Sequence, residues 1–311
     1  MNILLFGAAG FIGTNLALAL CKDPDNQITA VDVNKDYFHP VLKDQKNIAL
    51  TQTAIGVDTD FPALFAGQDV VYHLVSTTVP TNANRQIADE LTANVVMTAH
   101  LLDGCVQAGV KKVVFISSGG TVYGKESSCP LAEDTATNPI TSYGVQKVTI
   151  EKLLYLYHYM HGLDYRVVRL ANPYGPYQRP NGILGAVTTF TYKALKGETI
   201  SVFGDGSVVR DFIYIDDAVS AIIKIASSDT RHRTFNLGSG HGTSIRQVLD
   251  AIAQALQCPL HIDWLPARKV DVPVNYLDIS RYESAFGPLN PIDLKEGILK
   301  TAEFMKQSGI V

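Results

Sequence analysis

Cysteine is scarce in this chain of 311 residues, and no long apolar run opens it. The four cysteines are widely spaced and include no C-x-x-C pair, which is typical of reduced structural thiols and not of a secreted disulfide framework. The first apolar run, Ile3–Phe6, stops at a glycine and is too short for a signal peptide or a spanning helix. These features predict a cytoplasmic protein that binds no membrane.

A block of basic residues is also missing. The net charge is -4, and nothing resembles the electrostatic footprint of a nucleic-acid-binding or membrane-surface protein. Hydrophobic residues make up 46% of the chain, which is enough to bury a full core and excludes disordered and fibrous classes. His158 and His161 are three apart but lack a third ligand nearby, so no metal site is expected. A small molecule is the expected partner.

What is present is an alternation of short β-branched runs with amphipathic stretches. The helical stretches include Gln86–Ala108 and Tyr143–His161, with Gly109 and Gly162 as C-terminal stops. The strand-like runs are Ile3–Phe6, Ile28–Val31, Ile48–Leu50, Val70–Leu74, Val113–Ile116 and Tyr165–Leu170. The predicted fold class is therefore α/β, a Rossmann-type doubly wound parallel sheet.

Glycine and proline crowd the stretch 172–185, which predicts a domain boundary. We expect an N-terminal domain over 1–171, with a segment near 212–240 returning to it. Residues 172–311 are expected to form a smaller C-terminal lobe that mainly binds the substrate. A helical run over Ala186–Leu195 and a strand-like Ile200–Phe203 belong to that lobe.

A glycine-rich turn follows the first strand directly. Gly7, Gly10 and Gly13 open a helix that runs from Thr14 to Leu20, where bare backbone N–H groups can meet a pyrophosphate. Asp32 ends the second strand 19 residues after Gly13, close to the spacing expected of a carboxylate that binds the adenosine ribose. Because this carboxylate would repel a 2′-phosphate, the pattern predicts NAD as the cofactor rather than NADP.

A tyrosine and a lysine lie one helical turn apart. Tyr143 and Lys147 share one helical face, where the cation favours the phenolate that a tyrosine needs to act as a base. Such spacing alone is common on solvated helices. The run Ser117–Gly124 lies upstream, at the end of a strand, where α/β sheets carry their ligand sites. This context favours a catalytic pair.

Together these motifs resemble the extended short-chain dehydrogenase/reductase family, and within it nucleotide-sugar 4-epimerases most closely. The likeness covers nearly the whole chain. Its segments are Gly7–Gly13, Ser117–Gly124, Tyr143 with Lys147, Arg169–Gly175, Val202–Gly206, Arg210–Tyr214 and Phe235–Gly240.

The resemblance implies a cofactor site and a substrate site. Arg210 and Arg268 would bind the diphosphate, Asp271 the nucleotide ribose, and Asn172 a phosphate oxygen. Val202 and Phe203 would border the base, and Asn275 leaves substrates with or without an N-acetyl group possible. The implied cofactor residues are Gly7, Gly10, Phe11, Ile12, Gly13, Asp32, Asn34, Leu74, Val75, Ser76, Asn94, Ser117, Tyr143, Lys147 and Pro173.

Two positions depart from the family. Gly119 stands where the family usually has a Ser or Thr that bonds the sugar 4-hydroxyl; Thr121, Ser118 or a water can supply that hydroxyl instead. Val57 stands where an Asp often contacts the adenine. Asp58 is one residue late, and adjacent strand positions face opposite ways, so the adenine contact stays open.

The residues beside the pair distinguish the possible reactions. Related 4,6-dehydratases need an acid and a base at the positions of Gly120 and Thr121, and related decarboxylases carry a Glu at Thr121. Epimerisation needs neither. We therefore expect a homodimeric UDP-hexose 4-epimerase that works through a 4-keto intermediate and tightly bound NAD. The alternatives are an NAD(P)H-dependent 4-keto nucleotide-sugar reductase and a catalytically silent NAD-binding regulatory module.

Overall fold

The computed structural model describes residues 1–79, 83–125, 128–180, 185–268 and 272–311. Its strands are β1 Asn2–Phe6, β2 Gln27–Asp32, β3 Ile48–Gln52, β4 Val70–His73, β5 Lys112–Ser118, β6 Asp164–Leu170, β7 Asn172–Tyr174, β8 Ile200–Phe203, β9 Val209–Arg210, β10 Phe212–Tyr214, β11 Thr234–Leu237, β12 Thr243–Ser244, β13 Ile262–Leu265 and β14 Val274–Asn275. Its helices are α1 Phe11–Leu20, α2 Phe61–Phe65, α3 Ile87–Leu91, α4 Met97–Ala108, α5 Ser142–His161, α6 Ala186–Lys196, α7 Ile215–Ser227, α8 Ile245–Leu256, α9 Ser280–Phe286 and α10 Leu294–Gln307.

A seven-stranded parallel sheet forms the centre of the molecule, in the order β11-β6-β5-β4-β1-β2-β3. The chain runs outward from β1 in one direction through β2 and β3, then returns to place β4 on the other side of β1. This reversal opens a crevice at the carboxyl ends of β1 and β4, where doubly wound sheets bind ligands. The predicted α/β fold class is confirmed.

The inner strands of the sheet are largely apolar on both faces because helices cover both. In β5, Val114 and Ile116 pack into the cluster that contains α1 and α7 residues, whereas Val113 and Phe115 pack against α2, α4 and α5. All four side chains are buried. This explains why the strands read as continuous β-branched runs.

The helix boundaries follow local sequence signals. Gly109 and Gly162 end α4 and α5 in the left-handed conformation, both with φ 72, as predicted. Thr141 is the N-cap of α5, and its hydroxyl accepts a hydrogen bond from Gly144 N at 3.1 Å. The predicted helix Gln86–Ala108 is helical from Ile87 to Ala108 and contains a π-helical turn at Thr92–Val96, between α3 and α4.

Two predictions of local structure were wrong. α1 begins at Phe11, a turn earlier than the predicted Thr14, because Gly10 already has the extended backbone of an N-cap. Residues 57 and 58 form a turn well beyond the end of β3 at Gln52, so strand alternation does not govern which way Asp58 faces.

The C-terminal region packs α6, α8 and α10 around a cluster that includes Val187, Val248 and Ile298. Its strands form three small sheets, β10-β7, β12-β9-β14 and β13-β8. β11 adds to the main sheet beside β6, with Phe235 opposite Val168. The chain therefore crosses between the large sheet and the smaller sheets more than once.

Candidate active site

The glycine turn between β1 and α1 is built for close backbone contact. Gly7 N and Ala8 N both donate to Val31 O, at 3.0 and 3.2 Å. A Cβ on Gly13 would lie 2.2 Å from Gly7 O, so only glycine allows the helix to close onto the turn. No side chain caps α1, and the N–H groups of its first turn, including those of Phe11 and Ile12, are therefore available to an anion.

Asp32 ends β2 with its carboxylate turned to the glycine turn. One oxygen accepts a hydrogen bond from Ala9 N at 3.0 Å and the other from Val33 N at 2.8 Å. Each oxygen keeps a further lone pair for a ribose hydroxyl. Asn34 is also expected beside the cofactor, and its side-chain oxygen accepts a hydrogen bond from Asp36 N at 3.0 Å.

The segment after β4 passes over the glycine turn. A Cβ on Gly7 would lie 3.4 Å from Leu74 and from Val75, which places both residues against the turn. Asn94 is 3% exposed, and its side-chain Oδ1 accepts a hydrogen bond from Thr77 N at 2.9 Å. Asn94 therefore holds the segment after β4 through its side chain. Ser76 is partly buried there, and its hydroxyl donates to a backbone carbonyl two residues on, at 2.7 Å.

Lys147 is only 4% exposed and lies beneath the carboxyl end of β5. Its ammonium donates to Ile116 O at 2.9 Å and lies 4.6 Å from the ring centre of Phe115 and 5.5 Å from that of Tyr143. Burial lowers the pKa of Lys147 to about 8, and the negative charge of Glu151 acts against that fall. The tyrosine and lysine are thus brought together as the sequence predicted.

Tyr143 holds its proton firmly. Burial raises the pKa of Tyr143 to about 12, and a hydrogen bond with Ser118 acts in the opposite direction. Ser118 is the last residue of β5, so the strand end and the helix start meet at the phenol. A further positive charge would bring the phenol toward a pKa at which it exchanges protons.

The hydroxyl of Ser117 is used within the protein. It donates to Glu151 Oε1 at 2.5 Å, and Glu151 Oε2 also accepts from Arg169 Nη2 at 2.7 Å. All three residues are buried, and Arg169 reaches the hydroxyl of Tyr123 at 3.0 Å. The donor of the Ser117 hydroxyl is therefore already in use. Glu151 was not predicted as a site residue, although its position one turn after Lys147 on the same helical face was a signal.

Thr121 lies against the start of α5. A Cβ on Gly144 would come within 2.8 Å of Thr121 O, so this glycine lets the two segments touch beside Tyr143. The Thr121 hydroxyl is buried and has no hydrogen-bond partner within the described part of the chain. A buried hydroxyl without a partner is costly, and a ligand group would satisfy it.

The expected substrate residues are placed with mixed results. The Arg268 guanidinium stacks 3.5 Å over the ring of Phe203, which is 37% exposed. Val202, expected beside the base, is only 2% exposed and packs inward with Ile200 and Leu249, because neighbouring residues of β8 face opposite ways. Asp271 lies outside the described residues.

Three more expected residues lie where the C-terminal strands meet the main sheet. Arg210 donates to Val272 O at 2.6 Å, and the amide of Asn172 donates to Asp211 O at 2.8 Å. Asn275 is 2% exposed, and its amide donates to Gly119 O at 3.4 Å. Pro173 is partly buried in β7, which pairs with β10.

Glu90 binds the loop before α3 to the start of α5, an arrangement that the sequence analysis missed. Its carboxylate accepts from the backbone N–H groups of Arg85 and Gln86 at 3.1 and 3.2 Å and from the hydroxyl of Ser142. Asn84 and Ser142 also exchange hydrogen bonds, of 2.7 and 2.9 Å. Ser142 precedes Tyr143, so this Glu90 clamp holds the loop next to the catalytic pair.

No group of three His, Cys, Asp or Glu side chains that could hold a metal is found in the described ranges. The ring of His158 bonds to Leu163 O at 3.1 Å. Within those same ranges, none of the helices combines the length and apolar character needed to span a bilayer. All four cysteines are free.

Comparison with known proteins places this site in a family. The model of the NAD dependent epimerase/dehydratase family matches residues 3–238. A UDP-glucose 4-epimerase of Mycolicibacterium smegmatis is 35% identical over 98% of this chain and 99% of its own length. A UDP-glucose 4-epimerase structure from Thermotoga maritima, in complex with UDP-glucose, has a TM-score of 0.89 at 30% identity and covers 99% of both chains.

A UDP-glucuronic acid 4-epimerase structure from Bacillus cereus, in complex with UDP-glucuronic acid and NAD, has a TM-score of 0.88 at 26% identity. It covers 99% of this chain and 100% of its own. Because the family model spans most of the chain and the relatives match it from end to end, the chain belongs to the NAD-dependent epimerase/dehydratase family.

Proposed function

We propose that this protein is an NAD-dependent UDP-hexose 4-epimerase that works through a transient 4-keto sugar. The observation that carries the proposal is the buried pair of Tyr143 and Lys147, whose ammonium lies 5.5 Å from the phenol ring centre. Thr121 lies against Gly144 next to this pair, and its buried hydroxyl has no partner in the described part of the chain. Gly120 and Thr121 supply no carboxylate, so this turn has neither of the groups that would remove water or carbon dioxide from the sugar. Oxidation and reduction at C4 need only the groups that are present.

The described residues fit NAD. The uncapped N–H groups at the start of α1 suit a pyrophosphate, and the Asp32 carboxylate suits the two ribose hydroxyls. Lys147 would bind the nicotinamide ribose. When bound, NAD supplies an acceptor for the hydride of C4, a source for its return, and a positive charge that favours the phenolate.

Tyr143 would move the proton. It takes the proton of the sugar 4-hydroxyl as hydride leaves C4, and it gives the proton back after the ketone has turned over. The buried ammonium of Lys147 stabilises the phenolate during this interval. Thr121 would donate to or accept from the same sugar oxygen, a role that the family usually assigns to residue 119. We propose Ser118 as the partner that orients the phenol.

The C-terminal lobe would hold the nucleotide. Arg268 and Arg210 would bind the diphosphate, and Phe203, already stacked with Arg268, would border the base. We propose that residues 1–171, with a returning segment near 212–240, bind NAD and that 172–311 mainly bind the nucleotide sugar. The C-terminal role rests on the resemblance and on the exposed Arg268–Phe203 pair.

We also propose a cytoplasmic homodimer. The outer faces of α3 and α5 expose large apolar side chains, among them Ile87 at 52%, Met160 at 60% and Tyr159 at 80%. Exposed apolar area of this extent on two neighbouring helices is typical of an interface. Replacing Tyr159 by Glu is expected to yield monomers in sedimentation experiments, and an unchanged mass would reject this face.

The direct test is to incubate the purified protein with UDP-glucose, UDP-N-acetylglucosamine and UDP-glucuronate in turn, without added cofactor, and to separate the products by chromatography. Formation of a 4-epimer supports the proposal and identifies the sugar. Product that forms only with NAD(P)H and a 4-keto sugar would establish a reductase instead. Tight NAD binding without any conversion would favour a regulatory module.

A further inference from the structure

The backbone conformation at position 119 does not require a glycine. It continues the pairing of β5 with β6, since its N–H donates to Leu170 O at 2.8 Å. Its φ lies outside the left-handed region that favours glycine, whereas that of Gly124 is +79. Any L-residue could therefore adopt this conformation, and the absence of a side chain needs another reason.

Leu277 supplies that reason. A Cβ built on Gly119 would lie 2.5 Å from Leu277 Cδ1 and 3.0 Å from its Cδ2. Its distance to Arg169 O would be 3.1 Å, a tight contact that a shift of a few tenths of an ångström relieves. The side chain of Leu277 thus occupies the space that a serine or threonine would need at position 119.

Leu277 has little room to move away. It is fully buried among Val122, Tyr123, Leu131 and Ile279. Its flanking backbone is paired with Leu131, through bonds of 3.0 and 2.9 Å. A well-packed side chain held on both sides resists displacement.

The other side of the turn is open. A Cβ on Gly120 would meet only the hydroxyl oxygen of Ser118, at 3.9 Å. Thr121 follows, and its buried hydroxyl has no partner in the described ranges. The turn therefore offers its one unsatisfied hydroxyl at position 121 and not at 119.

We infer that Leu277 is a positioning residue. Its side chain fills the space that a serine or threonine at position 119 would occupy, so that Thr121 makes the contact with the sugar 4-hydroxyl instead. This inference rests on the proposed 4-epimerase function. Leu277 belongs to the C-terminal lobe and immediately follows the segment that carries Asn275, so the lobe proposed to bind the nucleotide sugar also shapes the catalytic turn.

The test combines Gly119→Ser, Leu277→Ala and Thr121→Val. Gly119→Ser alone is expected to lower Tm by roughly 2 to 6 °C, because serine overpacks the space beside Leu277. In the double variant Gly119→Ser/Leu277→Ala the two losses of Tm are expected to be less than additive, since the cavity accepts the serine. Gly56→Ser is the matched control, because a Cβ there meets nothing within 4 Å.

The kinetic readout separates positioning from packing. Thr121→Val is expected to lower kcat roughly 10- to 100-fold in the natural chain. In the Gly119→Ser/Leu277→Ala background the same substitution is expected to cost several-fold less, because the introduced serine then offers a second hydroxyl. A purely structural Leu277 would leave the effect of Thr121→Val the same in both backgrounds.

Each part can fail separately. The claim that Leu277 excludes a side chain at 119 would be overturned if Gly119→Ser left Tm unchanged and, with Leu277 intact, restored activity to the Thr121→Val protein. Full kcat in Thr121→Val alone would overturn the role of Thr121. Inactivity of the natural protein on every UDP-sugar would reject the proposed function, and with it the catalytic half of the inference, while the Tm series would still decide the exchange between Gly119 and Leu277.

Discussion

Replacing Lys147 by methionine is expected to abolish the reaction and to stabilise the fold at neutral pH. Methionine keeps the length and the helix propensity of lysine but carries no charge. Lys147 is 4% exposed and holds its ammonium against Ile116 O and the Phe115 ring. The charge that the reaction needs is therefore one that folding must bury.

The magnitude follows from the pKa. A fall from 10.5 to about 8 means that the buried ammonium costs about 3 kcal/mol relative to the neutral amine. The lost hydrogen bond to Ile116 O offsets about 1 kcal/mol of the gain. The Lys147→Met protein is therefore expected to be more stable by about 2 kcal/mol.

The gain depends on pH in a defined direction. Below pH 8 Lys147 is protonated in both the folded and the unfolded chain, and the full cost of burying its ammonium is present. Between about pH 8 and 10.5 the unfolded chain binds more protons than the folded one, so the stability of the natural protein rises with pH. The advantage of Lys147→Met is fully present below this window and is lost across it.

The measurement is the free energy of unfolding by urea, determined at about pH 7 and about pH 10. The natural, Lys147→Met and Lys152→Met proteins are compared. Each protein is first freed of bound nucleotide, and ultraviolet absorbance checks that none remains. Lys152 is exposed on the same helix, so its substitution is expected to change stability by less than about 0.5 kcal/mol. A Lys147→Met protein less stable than the natural one at pH 7, or an advantage that does not shrink with pH, would refute the reasoning.

Three other substitutions test separate parts of the site. Gly13→Ala places a methyl group 2.2 Å from a backbone oxygen, so it is expected to abolish NAD binding and to lower the free energy of unfolding by about 3 kcal/mol or more. Gly56→Ala is the control, because its methyl group meets nothing within 4 Å; NAD affinity measured by titration calorimetry and Tm are expected to stay unchanged in this variant. Glu90→Ala releases the loop beside the catalytic helix and is expected to lower kcat/KM roughly tenfold. The control is Asp89→Ala, at the exposed neighbouring residue, which is expected to keep the natural kcat/KM. Equal kcat/KM in the two variants would contradict the role of the Glu90 clamp. Glu151→Ala leaves its buried arginine partner uncompensated, and urea unfolding should register a loss of about 3 to 5 kcal/mol; a loss below about 1 kcal/mol would show that the pair is dispensable.

Local patterns were enough to predict the sheet and the catalytic pair. The runs around Ile3–Phe6 and Val113–Ile116 are short, β-branched and bounded by turns, so their strand character follows from neighbouring residues alone. Tyr143 and Lys147 lie on one helix, and their relative placement is fixed by its period. Such features need no knowledge of distant contacts.

The contacts that the sequence did not predict join segments far apart in the chain. The Ser117 hydroxyl goes to Glu151 because β5 and α5 pack together, and Val202 faces inward because α8 covers one side of β8. Gly119 is explained mainly by its contact with Leu277, which lies more than half the chain away. Each depends on the packing of two elements, and a single sequence does not specify that packing.

The central claim is that hydride leaves C4 of the sugar and returns to the same carbon. It is tested most directly with a UDP-sugar accepted as substrate and deuterated at C4, incubated in ordinary water without added cofactor. A 4-epimer that keeps the deuterium at C4 is expected, and the Tyr143→Phe protein is expected to form no product. Loss of the label to water, or product that appears only when a reduced cofactor is supplied, would contradict it.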